Sequence, residues 1–255
     1  MGGTGSIIHW NGKHWSIVSS PPNVDQLSGA TALATNNVWA VGYTGPGINN
    51  TPLIEHWDGT QWSIIASPNV SGRLSAVSAA SANDIWATGY NYSTGVILAE
   101  HWDGTQWSIV PTASITGCLL NITSIVAIAT KDVWIVGSEL EECSSRVIAL
   151  SEHWDGSKWT SVDVPSPGKG PYRQYFFNGI AATASNNVWA VGGTTDPKVG
   201  PVPLTERWDG TQWNVIPQTN PGEMKGITTT SAGKFWAVGY NPESQSAPPL
   251  AEFYC

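Results

Sequence analysis

The chain carries little charge. Only 12% of its 255 residues are Asp, Glu, Lys or Arg, and 19 acidic residues outnumber 11 basic ones, which gives a formal net charge of −8. Because phosphate backbones are held by clustered cations, this balance argues against a nucleic-acid partner. Apolar runs are also short, and none reaches the roughly 18 residues that a membrane-spanning helix needs. The sequence therefore predicts no membrane span.

Cysteine and the motifs of common cofactor sites are equally scarce. Three cysteines are too few for a disulfide scaffold, and their spacing does not match a zinc site. The chain has no phosphate-binding loop, dinucleotide fingerprint, metalloprotease motif or nucleophile elbow. We therefore expect no cofactor and no bound metal. The N-terminal segment MGGTGSIIHW has neither the basic nor the apolar region of a signal peptide.

Tryptophan, in contrast, is abundant, and its 15 copies form three series of five. The first series lies in segments such as VWAVGY, the second mostly in HWDG, and the third follows the second by five residues in every copy. A period near 50 residues with strand-like chemistry is typical of propeller blades. The three series are Trp39, Trp86, Trp134, Trp189 and Trp236; Trp10, Trp57, Trp102, Trp154 and Trp208; and Trp15, Trp62, Trp107, Trp159 and Trp213.

One repeat reads as four β-strands, A to D. Strand A is rich in small residues (GATALAT), strand B is apolar on both faces (NVWAVGY), and strands C and D follow as PLIEHW and QWSIIAS. Asn-Asn joins A to B and Asp-Gly joins C to D, as in tight hairpins. A strand that is apolar on both faces is covered on both sides, as in blades packed face to face. We therefore predict an all-β, five-bladed β-propeller of four-stranded antiparallel blades.

The ends of the chain predict how the ring closes. The N-terminal segment IIHWNGKHWSIV is a C–D hairpin, whereas the C-terminal segments supply strands A and B and a C-like strand. The sequence thus predicts a single domain, residues 1–255, whose last blade combines strands from both termini. The five A–B segments are expected to begin near residues 28, 75, 123, 178 and 225. Which terminal strand fills position C stays open, because IIHW and LAEFYC both fit.

Loop lengths indicate where function lies. The A–B and C–D turns keep one length in every repeat, whereas the D–A and B–C loops vary in length and sequence. In an antiparallel blade these two kinds of connection lie at opposite edges, called here the turn edge and the loop edge. Variable loops on a rigid scaffold are where binding and catalytic residues concentrate. The loop edge is therefore the expected functional edge.

Aromatic residues are the main candidates for ligand contacts there. Three tyrosines follow glycine at the end of strand B, and the longest D–A loop carries the segment PYRQYFF. Aromatic rings stack on sugar C–H surfaces and pair with arginine. The alternative is that the aromatics of the long loop pack onto their own blade, and Phe177, which opens strand A, is expected in the core. The candidate ligand-binding residues are Tyr43, Tyr90, Tyr92, Tyr172, Arg173, Tyr175, Phe176 and Tyr240.

Other polar residues that recur in each repeat are expected to have structural roles. One glutamate stands two residues before the strand C aromatic in each repeat, and we expect it to bond a strand end or the next blade. The aspartates of the Asp-Gly turns are expected to stabilise those turns. Strand A carries no acid, base or histidine, so no catalytic pair is expected along it. The glutamates are Glu55, Glu100, Glu152, Glu206 and Glu252; the aspartates are Asp58, Asp103, Asp155 and Asp209.

The blades VWAVG…EHWDGTQWSI resemble the Trp-rich propeller repeats of secreted bacterial proteins, and they are generally similar to kelch-type and Asp-box propellers. In blade number they are also similar to the five-bladed tachylectin-type lectins, although the motif residues differ. The resemblance covers nearly the whole chain and implies a propeller. It implies no single function, because propellers serve as lectins, hydrolases and scaffolds.

We favour a monomeric, non-enzymatic module that binds a carbohydrate or another extracellular ligand. The alternatives are an enzyme with two loop carboxylates at the same edge, and a scaffold for protein interactions. Cys118 and Cys143 fall in two loops at the loop edge of the third repeat, and we expect them to form a disulfide. Such a bond is typical of an oxidising compartment, which favours an extracellular or cell-surface location.

Overall fold

The computed structural model describes residues 6–22, 24–113, 120–141, 144–165, 167, 174–196, 200–218, 221–230, 232–241 and 249–254. In this part of the chain the regular structure is β-strand, apart from one 3₁₀ turn, Gly47–Asn49, and no helix is long and apolar enough to span a membrane. The strands fall into two compact units, Met1–Val110 and Pro111–Cys255.

The first unit contains ten antiparallel strands in three sheets. The N-terminal hairpin consists of β1 and β2, sheet 1 of β3 to β6, and sheet 2 of β7 to β10. In each four-stranded sheet the spatial order follows the chain order, as the A–B–C–D pattern predicts. The strands are β1 Ser6–Trp10, β2 Trp15–Ser19, β3 Gln26–Ala34, β4 Asn37–Thr44, β5 Thr51–Trp57, β6 Trp62–Ile64, β7 Gly72–Ser81, β8 Asp84–Asn91, β9 Val96–Trp102 and β10 Trp107–Ile109.

The second unit also contains three sheets. Sheet 3 consists of β11 to β14, sheet 4 of β15 to β18, and the terminal sheet of β19 to β21. The strands are β11 Leu120–Ala129, β12 Asp132–Leu140, β13 Val147–Trp154, β14 Trp159–Ser161, β15 Gln174–Ala184, β16 Asn187–Asp196, β17 Gly200–Trp208, β18 Trp213–Val215, β19 Glu223–Thr229, β20 Phe235–Tyr240 and β21 Leu250–Tyr254.

The prediction of a shared last blade needs correction. The described strands form six sheets rather than five: four have four strands, the N-terminal hairpin has two, and the terminal sheet has three. Strands β1 and β2 pair with each other, whereas β21 pairs with β20. Strands β1 and β21, which both have C-strand chemistry, each take position C of a separate sheet, and none of the described strand pairings joins β1 to β20 or β21.

The Asp-Gly turns have the predicted role. The side-chain Oδ1 of Asp58 accepts hydrogen bonds from the backbone and hydroxyl of Thr60, both at 2.7 Å, and from the backbone of Gln61 at 2.9 Å. These bonds lower the pKa of Asp58 to about 2. Gly59 adopts φ +99°, which glycine allows without strain. The same turn recurs with Asp103, Asp155 and Asp209.

In each four-stranded sheet the first Trp series lies at a recurring polar contact. The indole Nε1 of Trp86 donates to Asp84, and His101 shares the same carboxylate oxygen while stacking on the Trp86 ring. This histidine therefore has a structural role within its own sheet. The other three four-stranded sheets repeat the polar contact with Trp39, Asn37 and His56; Trp134, Asp132 and His153; and Trp189, Asn187 and Arg207.

Tryptophan also joins neighbouring sheets within each unit. The ring of Trp39 in sheet 1 packs on Trp102 and Trp107 of sheet 2, with ring centroids 5.1 and 5.7 Å apart. In the second unit Trp134 of sheet 3 packs likewise on Trp208 and Trp213 of sheet 4. These six tryptophans therefore contribute to the packing between neighbouring sheets.

The glycine before each strand B tyrosine faces a β-bulge. In sheet 2 the register shifts between Leu74 and Ala76, and a Cβ on Gly89 would lie only 1.9 Å from the Arg73 carbonyl oxygen. We therefore expect Gly89→Ala to lower the free energy of unfolding by about 1–3 kcal/mol. Denaturant unfolding measures this loss. The control is Gly226→Ala, whose Cβ would meet open space; an equal loss in both variants would contradict the bulge contact.

Candidate ligand-binding edge

The predicted tyrosines of strand B lie at the loop edge, each opposite a polar residue of strand A. Tyr43 pairs with Gln26, and its hydroxyl donates to the Gln26 side chain at 2.7 Å. Tyr90 pairs with Arg73, and Tyr240 pairs with Glu223. Each position thus combines an aromatic ring with a hydrogen-bonding or charged group, which sequence spacing alone does not reveal.

Three consecutive loops of the first unit are joined by hydrogen bonds. The backbone of Gly72 donates to the Asn50 carbonyl, the Ser71 hydroxyl to the Ile48 carbonyl, and the Tyr92 backbone to the Ser71 carbonyl, all within 2.8 Å. These bonds connect the B–C loop of sheet 1, the loop between the sheets and the B–C loop of sheet 2. The loop edge of this unit is therefore a connected surface rather than a set of independent loops.

The carboxylate of Asp25 fixes the start of the first B–C loop. Its Oδ2 accepts from the Gly45 backbone at 2.6 Å and from the Thr44 hydroxyl at 3.1 Å. Asp25 precedes Gln26, the partner of Tyr43, so one short segment positions both the ring and the loop beside it. Asp25 therefore has a structural role in this surface.

Tyr90 and Tyr92 form an aromatic pair at the loop edge of sheet 2. Their ring centroids are 5.3 Å apart and the rings meet edge to face. Both side chains are half-buried, so part of each ring faces solvent. Within the part of the chain that the structure describes, the buried Nε atom of the neighbouring Arg73 has no hydrogen-bond partner. Together, Tyr43, Tyr90, Tyr92 and Arg73 are called the tyrosine surface below.

In two sheets of the second unit, a residue other than tyrosine stands at the end of strand B. A Cβ on Gly193 would lie 2.7 Å from Glu223 Cγ and 3.2 Å from the Phe176 ring, so Phe176 occupies the space of the missing tyrosine. In sheet 3 the position is held by Ser138, which is buried. In the terminal sheet Tyr240 is 45% exposed, and the Lys225 ammonium lies 5.3 Å from its ring centroid.

Tyr175 is a core residue. It is buried in the interface of sheets 3 and 4 together with Phe177, and the Arg146 guanidinium lies 5.9 Å from its ring. Tyr175 is therefore omitted from the tyrosine surface. The alternative was that the long-loop aromatics pack onto their own blade, whereas Tyr175 packs between two sheets; Phe177 lies in the core as predicted. Tyr172, Arg173, Cys118 and Cys143 lie outside the described residues.

Most of the described carboxylates at the loop edge form hydrogen bonds or ion pairs within the protein. Glu141 forms an ion pair with Arg146, and Glu223 accepts from Asn178 and Lys225. Burial raises the pKa of Glu139. Within the described ranges no cluster of three His, Cys, Asp or Glu side chains has the geometry of a metal site.

The buried glutamates of strand C bond the segment that follows strand D of the preceding sheet. Ser20 donates to Glu55 at 2.9 Å and Ser67 to Glu100 at 2.8 Å, which confirms the predicted structural role. Glu206 differs, because it is fully buried and neither carboxyl oxygen has a hydrogen-bond partner among the described residues. The position that holds Ser20 and Ser67 in the first unit, five residues after the strand D tryptophan, is Val164 here. Burial raises the Glu206 pKa to about 8.

Comparisons with known proteins identify the fold. No protein-family model and no curated protein matches the chain. Among solved structures, YCF48 bound to D1 peptide is 14% identical, with a TM-score of 0.52, over 90% of this chain and 68% of that one. The six-bladed, fucose-recognising lectin of Aleuria aurantia is 10% identical, with a TM-score of 0.55, over 94% of this chain and 83% of the lectin. At these identities the likeness shows the β-propeller fold alone.

Proposed function

We propose that the chain is a non-enzymatic binding module that recognises a carbohydrate through the tyrosine surface. The observation that carries the proposal is the set of three partly exposed tyrosine rings, Tyr43, Tyr90 and Tyr92, held on hydrogen-bonded loops of one unit. Partly exposed rings offer flat faces for sugar C–H groups, and the adjoining amide and guanidinium groups suit sugar hydroxyls. The fucose lectin with a similar fold supports this choice of ligand class.

The enzymatic alternative has less support at this edge. Asp25, Glu141 and Glu223 are each committed to hydrogen bonds or ion pairs within the protein. A glycosidase needs two carboxyl groups facing one bound sugar, about 5–9.5 Å apart. Asp25 and Glu141 instead bond groups at the loop edge, and Glu223 bonds Asn178 and Lys225, whereas the tyrosine rings have exposed surface.

The remaining parts of the proposal follow from this function. Sugar binding by stacked rings requires no cofactor or metal, and it suits a protein at the cell surface or outside the cell. The predicted Cys118–Cys143 disulfide is consistent with that location. We also propose that the four-stranded sheets are propeller blades, with the loop edge as their common ligand-binding side.

We expect Tyr90→Ala to weaken sugar binding about 10-fold or more, because exposed tyrosines at binding sites often contribute 1–2 kcal/mol or more. The measurement is a glycan array with the purified protein, followed by titration of the best glycan. Tyr90 is half-buried at a sheet edge, so the melting temperature should change little. Binding should also persist in a chelator.

The matched control is Tyr240→Ala, the same repeat position in the terminal sheet, which is not part of the tyrosine surface and whose ring has the Lys225 ammonium 5.3 Å from its centroid. This variant should bind like the wild type. Equal losses in both variants would contradict a site on the tyrosine surface. Failure to bind any glycan would reject the carbohydrate, and capture of a peptide library member through Tyr90 would favour a peptide-binding role.

A further inference from the structure

Lysine and arginine are rare in the first unit, and one of them lies in the tyrosine surface. Residues 1–110 contain only Lys13 and Arg73, against six carboxylates. Lys13 is exposed in the C–D turn of the N-terminal hairpin, whereas Arg73 stands in β7 directly opposite Tyr90. The first unit is therefore acidic as a whole, but it places a cation beside its candidate ligand site.

Arg73 has no partner of opposite charge in the part of the chain that the structure describes. No described hydrogen bond or ion pair involves its guanidinium group, and its Nε atom is buried without a partner. The terminal nitrogens Nη1 and Nη2 therefore keep four N–H donors for other groups. Two cations at the loop edge of the second unit differ, because Arg146 forms an ion pair with Glu141, and Lys225 with Glu223.

The carboxylates of the first unit are all bonded to other groups. The aspartates of the Asp-Gly turns bond their own turns, the strand C glutamates bond serines, and the remaining two bond a loop backbone and an indole. Pairing with Arg73 would require one of these bonds to break, so the unit supplies no carboxylate that is available to it. The six are Asp25, Glu55, Asp58, Asp84, Glu100 and Asp103.

The backbone that carries Arg73 is fixed before any ligand binds. The two residues that precede it both donate hydrogen bonds to the B–C loop of sheet 1. Residues directly opposite in an antiparallel pair lie on the same face of a sheet, so Arg73 shares a face with Tyr90, whose ring meets Tyr92 edge to face. The site thus combines two aromatic rings and an unneutralised guanidinium group on one pair of strands, and little ordering is needed on binding.

We propose that the tyrosine surface binds an acidic carbohydrate, with Arg73 holding the carboxylate of a uronic or sialic acid and the rings of Tyr90 and Tyr92 contacting the sugar. This inference rests on the proposed function and specifies its ligand class. A guanidinium group binds a carboxylate through two parallel N–H···O bonds, which are stronger than bonds to a neutral hydroxyl. A neutral sugar would leave the half-buried charge of Arg73 without a counter-ion, whereas an acidic sugar balances it.

A glycan array that pairs each uronic-acid or sialic-acid glycan with its own methyl ester tests the inference. The two members of a pair have the same stereochemistry and differ in the charge of the carboxyl group. The wild type should bind the acid about 10-fold or more tightly than the ester, because a hydrogen bond to a charged group contributes more than one between neutral groups. Titration of the best pair in solution measures this ratio.

Three variants then assign the preference to Arg73. Arg73→Gln should bind the acid and the ester alike, with about the affinity of the wild type for the ester. Arg73→Lys keeps the charge without the planar fork and should retain part of the preference. Lys13→Gln is the matched control, because it removes the other basic side chain of the unit from the turn edge, and it should bind like the wild type. Melting temperatures check that each variant folds.

The outcomes separate this inference from the proposed function. Equal wild-type affinities for acid and ester, with binding lost in Tyr90→Ala, would overturn the acidic ligand and leave a site for neutral carbohydrate. A preference that Arg73→Gln retains, or that Lys13→Gln loses to the same extent, would overturn the role of Arg73. Failure to bind any glycan, or capture of an acidic peptide alone, would reject the carbohydrate and this inference with it.

Discussion

Raising the pH from about 5 to about 9 is expected to destabilise the protein by several kcal/mol, and Glu206→Gln should remove a large part of that loss. Glu206 is fully buried and its carboxyl group bonds none of the described residues, and burial raises its pKa from 4.5 to about 8. Between these values the folded chain keeps a proton that the unfolded chain has lost. The contribution of protonated Glu206 to the free energy of unfolding is therefore fully present below about pH 4.5 and is lost as the pH rises to about 8. The loss amounts to roughly 3–5 kcal/mol.

Denaturant unfolding at several pH values measures this effect. Glutamine has nearly the shape of the protonated glutamate and does not ionise, so Glu206→Gln should match the wild type near pH 5 and exceed it near pH 9. Glu100→Gln is the control, because Glu100 has a serine partner and its pKa rises only to about 7. Its variant should recover less stability. Equal pH dependence in wild type and Glu206→Gln would contradict the assignment.

A second variant addresses the cause of the raised pKa. Val164 stands where the first unit has Ser20 and Ser67, the donors to the equivalent glutamates. Val164→Ser should supply a donor to Glu206 and lower its pKa, so the loss of stability on raising the pH should become smaller and be complete at a lower pH. If the pH profile stays in place, the missing hydroxyl is not what sets the Glu206 pKa.

Sequence repetition predicts the strands and their order well, because each repeat carries its own turn chemistry and alternation. It does not predict the pairing of the terminal strands. The segments IIHW and LAEFYC have the same C-strand pattern, and pairing depends on which neighbouring strand each segment meets. The structure places them in two sheets, each of which lacks part of a blade.

Only part of the candidate site could be predicted from the sequence, because strand register also decides which side chains reach the surface. The Gly-Tyr ends of strand B locate Tyr43, Tyr90 and Tyr240 at the loop edge. Strand register decides the remaining cases: Tyr175 lies two residues before the core residue Phe177, so both side chains point to the same buried face. The two-residue spacing of Tyr175 and Phe177 can be read from the sequence. The missing hydrogen-bond donor of Glu206, in contrast, depends on Val164, a residue that follows another sheet.

Trp39→Ala is expected to lower the free energy of unfolding by about 3–5 kcal/mol, as truncation of a buried tryptophan does. Its ring is 4% exposed and packs between sheets 1 and 2 on Trp102 and Trp107. Trp236→Ala is the matched control: it removes the same side chain at the same repeat position, where the ring is 45% exposed. At low protein concentration this variant should lose less than about 1 kcal/mol.

The comparison measures chiefly the contribution of the neighbouring sheet. Within their own sheets both rings pack on an aromatic side chain, Trp39 on His56 at 4.4 Å and Trp236 on Phe253 at 4.9 Å, and Trp39 also donates a hydrogen bond to Asn37. In addition, Trp39 packs on two tryptophans of sheet 2. The difference between the two losses, measured by denaturant unfolding, therefore reports the packing energy between sheets together with about 1 kcal/mol for that hydrogen bond. Equal losses would mean that tryptophan stabilises each sheet separately.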